Sequence, residues 1–364
     1  YFISEAGVNH NGNKDMAYQL IDAAITANAD AVKFQTFSAT DLASENAPKA
    51  AYQNETTDAA ESQLDMLRRL ELPLGWHFEL RDYCASKRIE FLSTPFDSQS
   101  LRFLVDDLKL KTIKVPSGEL TNGPFLHEIA TSGAKIILST GMSTLEEVRC
   151  ALSVLAHGLI NATEVPSFAA FDTAMASDAG QFALKENVTI LHCTSAYPTP
   201  LHDANVAAMV TLRDTFGLNV GFSDHTEGQA ASLTAAALGS TVIEKHFTLD
   251  RSLPGPDHKA SLTAEELTAL IQGVRAIETA LGDGIKAPRP SEIDTAPIAR
   301  KSLVALAPIA AGETFTADNV GAKRPCTGVS PMQFWDINGL AADTAFEPNQ
   351  VIEINNTKAL NNGK

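Results

Sequence analysis

The sequence predicts an α/β protein: a (β/α)8 TIM barrel over residues 1–284, a linker at 285–300, a small domain of mostly β and irregular structure at 301–355, and a tail at 356–364. Three observations predict it. Eight short apolar, often β-branched runs recur up to about residue 247. Helix-like segments alternate with them, the pattern of a barrel of parallel strands. After Leu281 the texture changes, and Gly282-Asp-Gly-Ile-Lys-Ala-Pro-Arg-Pro290 reads as a linker.

In order, the strand-like runs are Tyr1–Val8, Ala31–Phe37, Ile89–Phe96, Thr112–Ser117, Lys135–Thr140, Val188–Ser195, Asn219–His225 and Thr241–Phe247. Met16 to Asn28 carries apolar residues at helical spacing. Ser143-Thr-Leu-Glu146 is a capping-box pattern opening the helix after the fifth strand, and Thr263-Ala-Glu-Glu266 opens a last helix running to about Leu281. A doubly wound open sheet is the rival, but no glycine-rich dinucleotide fingerprint follows the first strand. Two stretches break the spacing: residues 38–65, expected as a lid, and residues 157–187, expected as an insertion. In the small domain Ser302-Leu-Val-Ala, Ala311-Gly-Glu, Asn319–Pro325 and Val351-Ile-Glu-Ile are short alternating runs.

With 364 residues, 44% of them hydrophobic, the chain can bury a sizeable core. A formal charge of −16 argues against nucleic acid or an anionic membrane as the main partner. It says nothing against a small anionic substrate, because local lysines override the net field. No apolar run is long enough to span a bilayer. Cys84, Cys150, Cys193 and Cys326 are scattered with no CxxC pair, which fits a reducing, cytoplasmic setting better than a disulfide scaffold.

Polar residues collect at the predicted strand ends, the rim that carries chemistry in this fold. Residues two apart on a strand share a face, so Lys33 goes with Gln35, Ser223 with His225, and Glu244 with His246, while Lys245 points outward. A single strand-end histidine is more often a structural residue. Two on consecutive strands, His225 and His246, with Glu244 nearby, form a candidate metal site with open positions. His10 is a second metal candidate, although Asn-His-Asn-Gly also reads as a turn. Lys33 inside an apolar strand must pair with an acid or a bound anion, because an unpaired buried ammonium is costly. Serines and threonines near lysines at one rim fit a phosphate or carboxylate cradle. Glu5 and Glu119 are candidate acid–base groups.

Taken together, Ser4-Glu-Ala-Gly-Val-Asn-His-Asn-Gly12, Val32-Lys-Phe-Gln35, Ser93-Thr-Pro-Phe96, Lys114-Val-Pro-Ser-Gly-Glu119, Leu138-Ser-Thr-Gly-Met142, Leu191-His-Cys-Thr-Ser-Ala-Tyr-Pro198, Gly221-Phe-Ser-Asp-His-Thr226, Glu244-Lys-His-Phe247, Pro254-Gly-Pro-Asp257 and Lys323-Arg-Pro325 resemble the sialic acid synthase family, in order over nearly the whole chain. The resemblance implies a barrel followed by an antifreeze-like (SAF) domain. It also implies condensation of phosphoenolpyruvate with an open-chain N-acyl hexosamine, most directly N-acetylmannosamine to give N-acetylneuraminate and phosphate by C–O cleavage. Carried over by position, His225 and His246 would hold Mn2+ (or Mg2+ or Co2+). Lys33, Thr94, Lys114, Ser117, Ser139, Ser195 and Ser223 would hold phosphoenolpyruvate. Glu119 would be the leading catalytic carboxylate, with Glu5 near the metal. Gln35, Tyr197, Asp257 and Arg324 would contact the sugar, Arg324 across a homodimer. Sister enzymes making legionaminic or pseudaminic acid use the same chemistry on 6-deoxy, diacylated sugars. A Schiff-base aldolase acting through Lys33, or a carbohydrate- or ice-binding protein resting on the C-terminal segment alone, are the remaining alternatives.

Overall fold

The computed structural model describes all residues except 46, 50–52, 55, 56, 59, 60 and 354–364, so the predicted tail lies outside the described residues. The chain divides into two compact units, Tyr1–Gly282 and Asp283–Lys364.

The first unit carries eight strands: β1 (Phe2–Gly7), β2 (Ala31–Thr36), β3 (Glu90–Pro95), β4 (Thr112–Val115), β5 (Lys135–Ser139), β6 (Val188–Cys193), β7 (Asn219–Asp224) and β8 (Val242–His246). Each falls inside one predicted run. They form one parallel sheet in the order β3-β2-β1-β8-β7-β6-β5-β4, and β3 lies against β4, giving a nearly closed barrel. Alternation along the strands sorts the side chains. One set, including Phe2, Val32, Phe34, Ile113, Leu138, Ile190 and Phe222, packs against helix residues such as Leu20, Leu80, Leu152 and Leu270. The other set begins with an inner apolar layer of Ile3, Ala31, Leu92, Ile137, Leu191 and Val242. Two residues further along the same faces stand Glu5, Lys33, Thr94, Ser139, Cys193 and Glu244. The barrel is therefore plugged by hydrocarbon on one side and lined by polar groups toward its strand ends.

Caps fix the helices against this sheet. The last barrel helix, Ala264–Leu281, starts on the predicted Thr263/Glu266 capping box. The box predicted at Ser143/Glu146 sits one residue later: Glu147 N–H donates to Thr144 Oγ1 and Thr144 N–H donates to Glu147 Oε2 at 2.7 Å. Thr-Leu-Glu-Glu fits the motif as well as Ser-Thr-Leu-Glu, and the apolar face of Leu145–Leu159 selects the later register. The 157–187 stretch, expected as an insertion, carries two helices. Phe168–Ala176 and Asp178–Asn187 are capped by Ser167 and Ser177 and pack on Leu145–Leu159. The 38–65 stretch contains a short helix, Ala39–Leu42, and runs into Gln63–Leu70, which Ser62 caps. Among the described residues no helix is long and apolar enough to cross a membrane.

In the second unit β9 (Ser302–Ala305) and β10 (Val320–Lys323) pair antiparallel over a small core of Leu303, Ile309, Phe315, Ile337, Phe346 and Ile352. The predicted linker belongs to this unit but is almost wholly exposed, tied down at a few points. Pro297 O accepts from Cys326 N–H at 2.8 Å, and Arg289 pairs with Asp283 at 2.6 Å.

Candidate active site

Strand register builds the site. Parallel pairing sets Glu5 beside Lys33 and beside His246, Gln35 beside Thr94, and Ser223 beside Glu244. Paired residues of neighbouring parallel strands point to the same side, so these groups converge inside the barrel. A cavity of about 390 Å³ opens there, lined by every predicted site residue except Glu119 and Arg324. It holds Glu5, Lys33, Gln35, Thr94, Lys114, Ser117, Ser139, Ser195, Tyr197, Ser223, His225, His246 and Asp257.

Four buried charges form its floor. Lys33 Nζ lies 2.6 Å from Glu5 Oε2 and 3.6 Å from Glu244 Oε2, and Lys114 Nζ lies 3.7 Å from Glu244 Oε1. Lys33 Nζ donates to Thr94 Oγ1 at 2.9 Å and Lys114 Nζ to Ser139 Oγ at 2.7 Å, while Ser223 Oγ donates to Glu244 Oε1 at 2.8 Å. All four charged side chains are at most 6% exposed, so each depends on the others to offset lost hydration. Burial pushes the Glu5 carboxyl up, against the pull of Lys33 and with the help of Glu244. Burial also opposes ionisation of Glu244, but Lys114 and Lys33 hold it well below the usual range. The Lys33 ammonium pays a burial penalty that Glu244 and Glu5 more than offset, so its pKa rises; burial dominates at Lys114, whose pKa falls despite Glu244. A lysine held as ammonium by two carboxylates is a poor amine nucleophile, which weighs against the Schiff-base alternative.

Beside this floor stand the two histidines, with ring centroids 5.7 Å apart. Burial lowers the pKa of both, leaving neutral imidazoles, the form that ligates metals. His225 Nδ1 is 2.7 Å from Thr194 O. A carbonyl only accepts, so Nδ1 carries the proton and Nε2 keeps its lone pair, the arrangement expected of an oriented ligand. His246 Nδ1 is buried without a hydrogen bond, 3.8 Å from Asp257 Oδ2. Burial raises the Asp257 carboxyl to about 6, opposed by Lys33. Among the described residues no group of three His, Cys, Asp or Glu side chains converges as a metal site. Two neutral imidazoles facing one cavity could supply two ligands to a divalent ion, its other positions left to water and substrate. Tyr197 packs its ring on His225 at 4.2 Å. His10 is not among the cavity lining; it is buried against Phe34, with Nδ1 accepting from Gly12 N–H.

Ser117, Ser195 and Cys193 converge on Gly141 at the end of β5. Gly141 N–H donates to Ser117 Oγ at 2.9 Å, and Ser117 Oγ lies 3.1 Å from Cys193 Sγ. A Cβ at Gly141 would come within 2.4 Å of Ser195 Oγ and 2.8 Å of Ser117 Oγ.

Glu119 is not among the lining residues. It sits in a 3-10 turn, where its Oε2 accepts from Asn122 Nδ2 at 2.7 Å. Arg324 belongs to the second unit, where its Nε donates to Ala299 O at 2.9 Å. Sequence reasoning placed Glu244 beside the histidines but did not pair it with Lys33 and Lys114, and it gave no role to Cys193. For Glu244 the signal was available: an acid in an apolar strand, in phase with His246, demands a partner as much as Lys33 does. Lys245 points outward as predicted and pairs there with Asp224 at 3.0 Å.

The NeuB family model matches residues 20–286, and the SAF domain model matches residues 300–355. The chain is 46% identical over 350 residues to an N,N'-diacetyllegionaminic acid synthase of Campylobacter jejuni, covering 96% of this chain and 98% of that one. It is 40% identical to an N,N'-diacetyllegionaminic acid synthase of Legionella pneumophila, covering 93% of this chain and 89% of the relative. Among solved structures, the N-acetylneuraminic acid (sialic acid) synthetase of Leptospira borgpetersenii superposes with a TM-score of 0.64 at 29% identity, over 81% of this chain and 89% of that one.

Proposed function

The chain belongs to the NeuB family, and from that premise we propose that it condenses phosphoenolpyruvate with an open-chain N-acyl hexosamine, N-acetylmannosamine or a 6-deoxy diacylated relative, to give a nonulosonic acid and inorganic phosphate. The observation that carries this reading is the pairing of two buried ammonium groups with two neutral imidazoles in one cavity. Lys33 with Thr94 and Lys114 with Ser139 offer charge-assisted donors to the carboxylate and phosphate of phosphoenolpyruvate. Ser117, Ser195 and Ser223 add hydroxyls at the same rim. Gln35, Tyr197 and Asp257 remain to orient the sugar.

In the reaction, carbon 3 of phosphoenolpyruvate bonds to the aldehyde carbon, water adds at carbon 2, and the bond from carbon 2 to the phosphate oxygen breaks. One proton of the water goes to the new alkoxide, and the other leaves with the phosphate as the hydroxyl on carbon 2 collapses to a ketone. We assign the transfer of the proton to the alkoxide to Glu5, which lines the cavity beside Lys33. The proposal shifts the acid–base role from Glu119, whose carboxylate is engaged by Asn122. A divalent ion such as Mn2+, Mg2+ or Co2+ on His225 and His246 would supply Lewis-acid polarisation of the aldehyde oxygen. The reading includes a homodimer in which Arg324 meets the partner's sugar, supported by the Lys323-Arg-Pro325 motif. It also includes a reducing, cytoplasmic setting, supported by four unpaired cysteines.

The test is phosphate release from phosphoenolpyruvate with a panel of N-acyl hexosamines. Release should need both substrates, stop with chelator and return with Mn2+. His225→Ala should weaken Mn2+ binding by at least the ~10–100-fold that partners of metal ligands typically carry. Full activity in chelator, or unchanged Mn2+ affinity in the variant, would remove the metal from the proposal.

A further inference from the structure

Among the described residues the cavity lining contains one thiol, Cys193. It ends β6, two residues beyond Leu191 of the inner apolar layer, so it faces inward with the polar ring. On the neighbouring strand it stands beside Ser223. It is only 4% exposed. Its sulfur lies 3.1 Å from Ser117 Oγ, which also accepts from Gly141 N–H at 2.9 Å. A Cβ at Gly141 would come within 3.0 Å of the same sulfur. Glycine at that position therefore lets a backbone N–H and a thiol close on one hydroxyl.

A serine hydroxyl has one proton to give and two lone pairs to fill. Gly141 takes one lone pair of Ser117. Ser117 can then spend its proton on sulfur, a weak acceptor, or it can accept from the thiol and turn its proton into the cavity. A carboxylate or phosphate oxygen is a far stronger acceptor than sulfur and forms a charge-assisted bond, so a bound anion selects the second arrangement. The thiol then fills the remaining lone pair and polarises the O–H that meets the anion. We propose that Cys193 is a positioning residue for phosphoenolpyruvate: its thiol holds Ser117 with the hydroxyl proton directed at the substrate anion. The proposal rests on the condensation reading above. Because Cys193 acts through Ser117, the sugar and the metal should not feel its loss.

The test is calorimetric titration of phosphoenolpyruvate into the full-length, Mn2+-loaded enzyme, with steady-state kinetics alongside. Cys193→Ala should weaken phosphoenolpyruvate binding about fivefold, the scale of one neutral hydrogen bond. The KM for the sugar and the affinity for Mn2+ should stay the same. Cys193→Ser restores a donor and should recover most of the loss. Packing alone predicts the reverse order, because a dry site tolerates alanine better than an added hydroxyl. In a Ser117→Ala background, adding Cys193→Ala should cost less than about twofold, since the thiol has no hydroxyl left to hold. Cys193→Val, which fills the space without a donor, carries the same expectation if the alanine variant loses its fold. Unchanged binding in Cys193→Ala, the full loss persisting in the Ser117→Ala background, or weaker binding in Cys193→Ser than in Cys193→Ala overturns the proposal while leaving the condensation standing. An unaltered enzyme that neither binds phosphoenolpyruvate nor releases phosphate from it overturns the condensation, and the proposal falls with it.

Discussion

The strand ends of the cavity floor and the two helices at Phe168–Asn187 belong to the same barrel unit, yet different physics holds them. On the floor, Glu5, Lys33, Lys114 and Glu244 are shut away from water and persist through mutual pairing. The inserted helices lie at the surface, with Phe168 and Phe182 exposed, and are held by serine caps and by Ala174 and Leu184 packing inward. The contrast teaches where single changes can be absorbed. A floor residue is one member of a charge balance, whereas a cap in the insertion acts nearly alone.

The largest break should come from Lys33→Met. It strands two carboxylates without their shared cation, which costs about 3–5 kcal/mol when one partner of a buried pair is removed. Denaturant unfolding should show a large fall in midpoint, and phosphate release should vanish. An unshifted midpoint would mean that the floor is not a mutual balance. Arg324→Ala, a change outside the floor, should leave the midpoint alone. It should raise the KM for the sugar by about tenfold, the scale of one hydrogen bond to a charged group, with little effect on phosphoenolpyruvate. Mixing it with His225→Ala should recover part of the activity; no recovery at any ratio would argue against sharing between subunits. The smallest effect is expected from Ser177→Ala, about 1 kcal/mol for a lost helix cap, with both KM values unchanged. A kinetic effect there would blur the distinction between floor and insertion.

The floor was legible in the sequence because strand parity is a strict rule. Once Val32-Lys-Phe-Gln35 and Val242-Ile-Glu-Lys-His246 are read as strands, the side on which Lys33, Gln35 and His246 lie follows. Parity fails where the chain leaves the strand. Glu119 follows Pro116 into a 3-10 turn, and Asn122, three residues on, takes its carboxylate. The inserted helices were obscured by their Ala-, Ser- and Asp-rich composition, although Ser167 and Ser177 mark their starts. On the helix Gln63–Leu70 the apolar Met66, Leu67 and Leu70 carry helical spacing within reach of sequence reasoning, but which cavity they line depends on how the chain returns over the barrel. The change of texture after Leu281 is visible in composition, but the stretch read as a linker at 285–300 lies within the second unit, tied to it by the carbonyls of Pro297 and Ala299, which leave no periodic trace.

The outward pair of Lys245 with Asp224 bears on how this barrel finds its register. On β8 an acid, a base and an imidazole alternate, each matched to a different side. A slip of one position would drive Lys245 toward Lys33 and Lys114 and thrust Glu244 into the hydrocarbon layer beneath the helices. The last stave thus proofreads its own threading: misaligned closure is penalised by like-charge repulsion before any substrate is present.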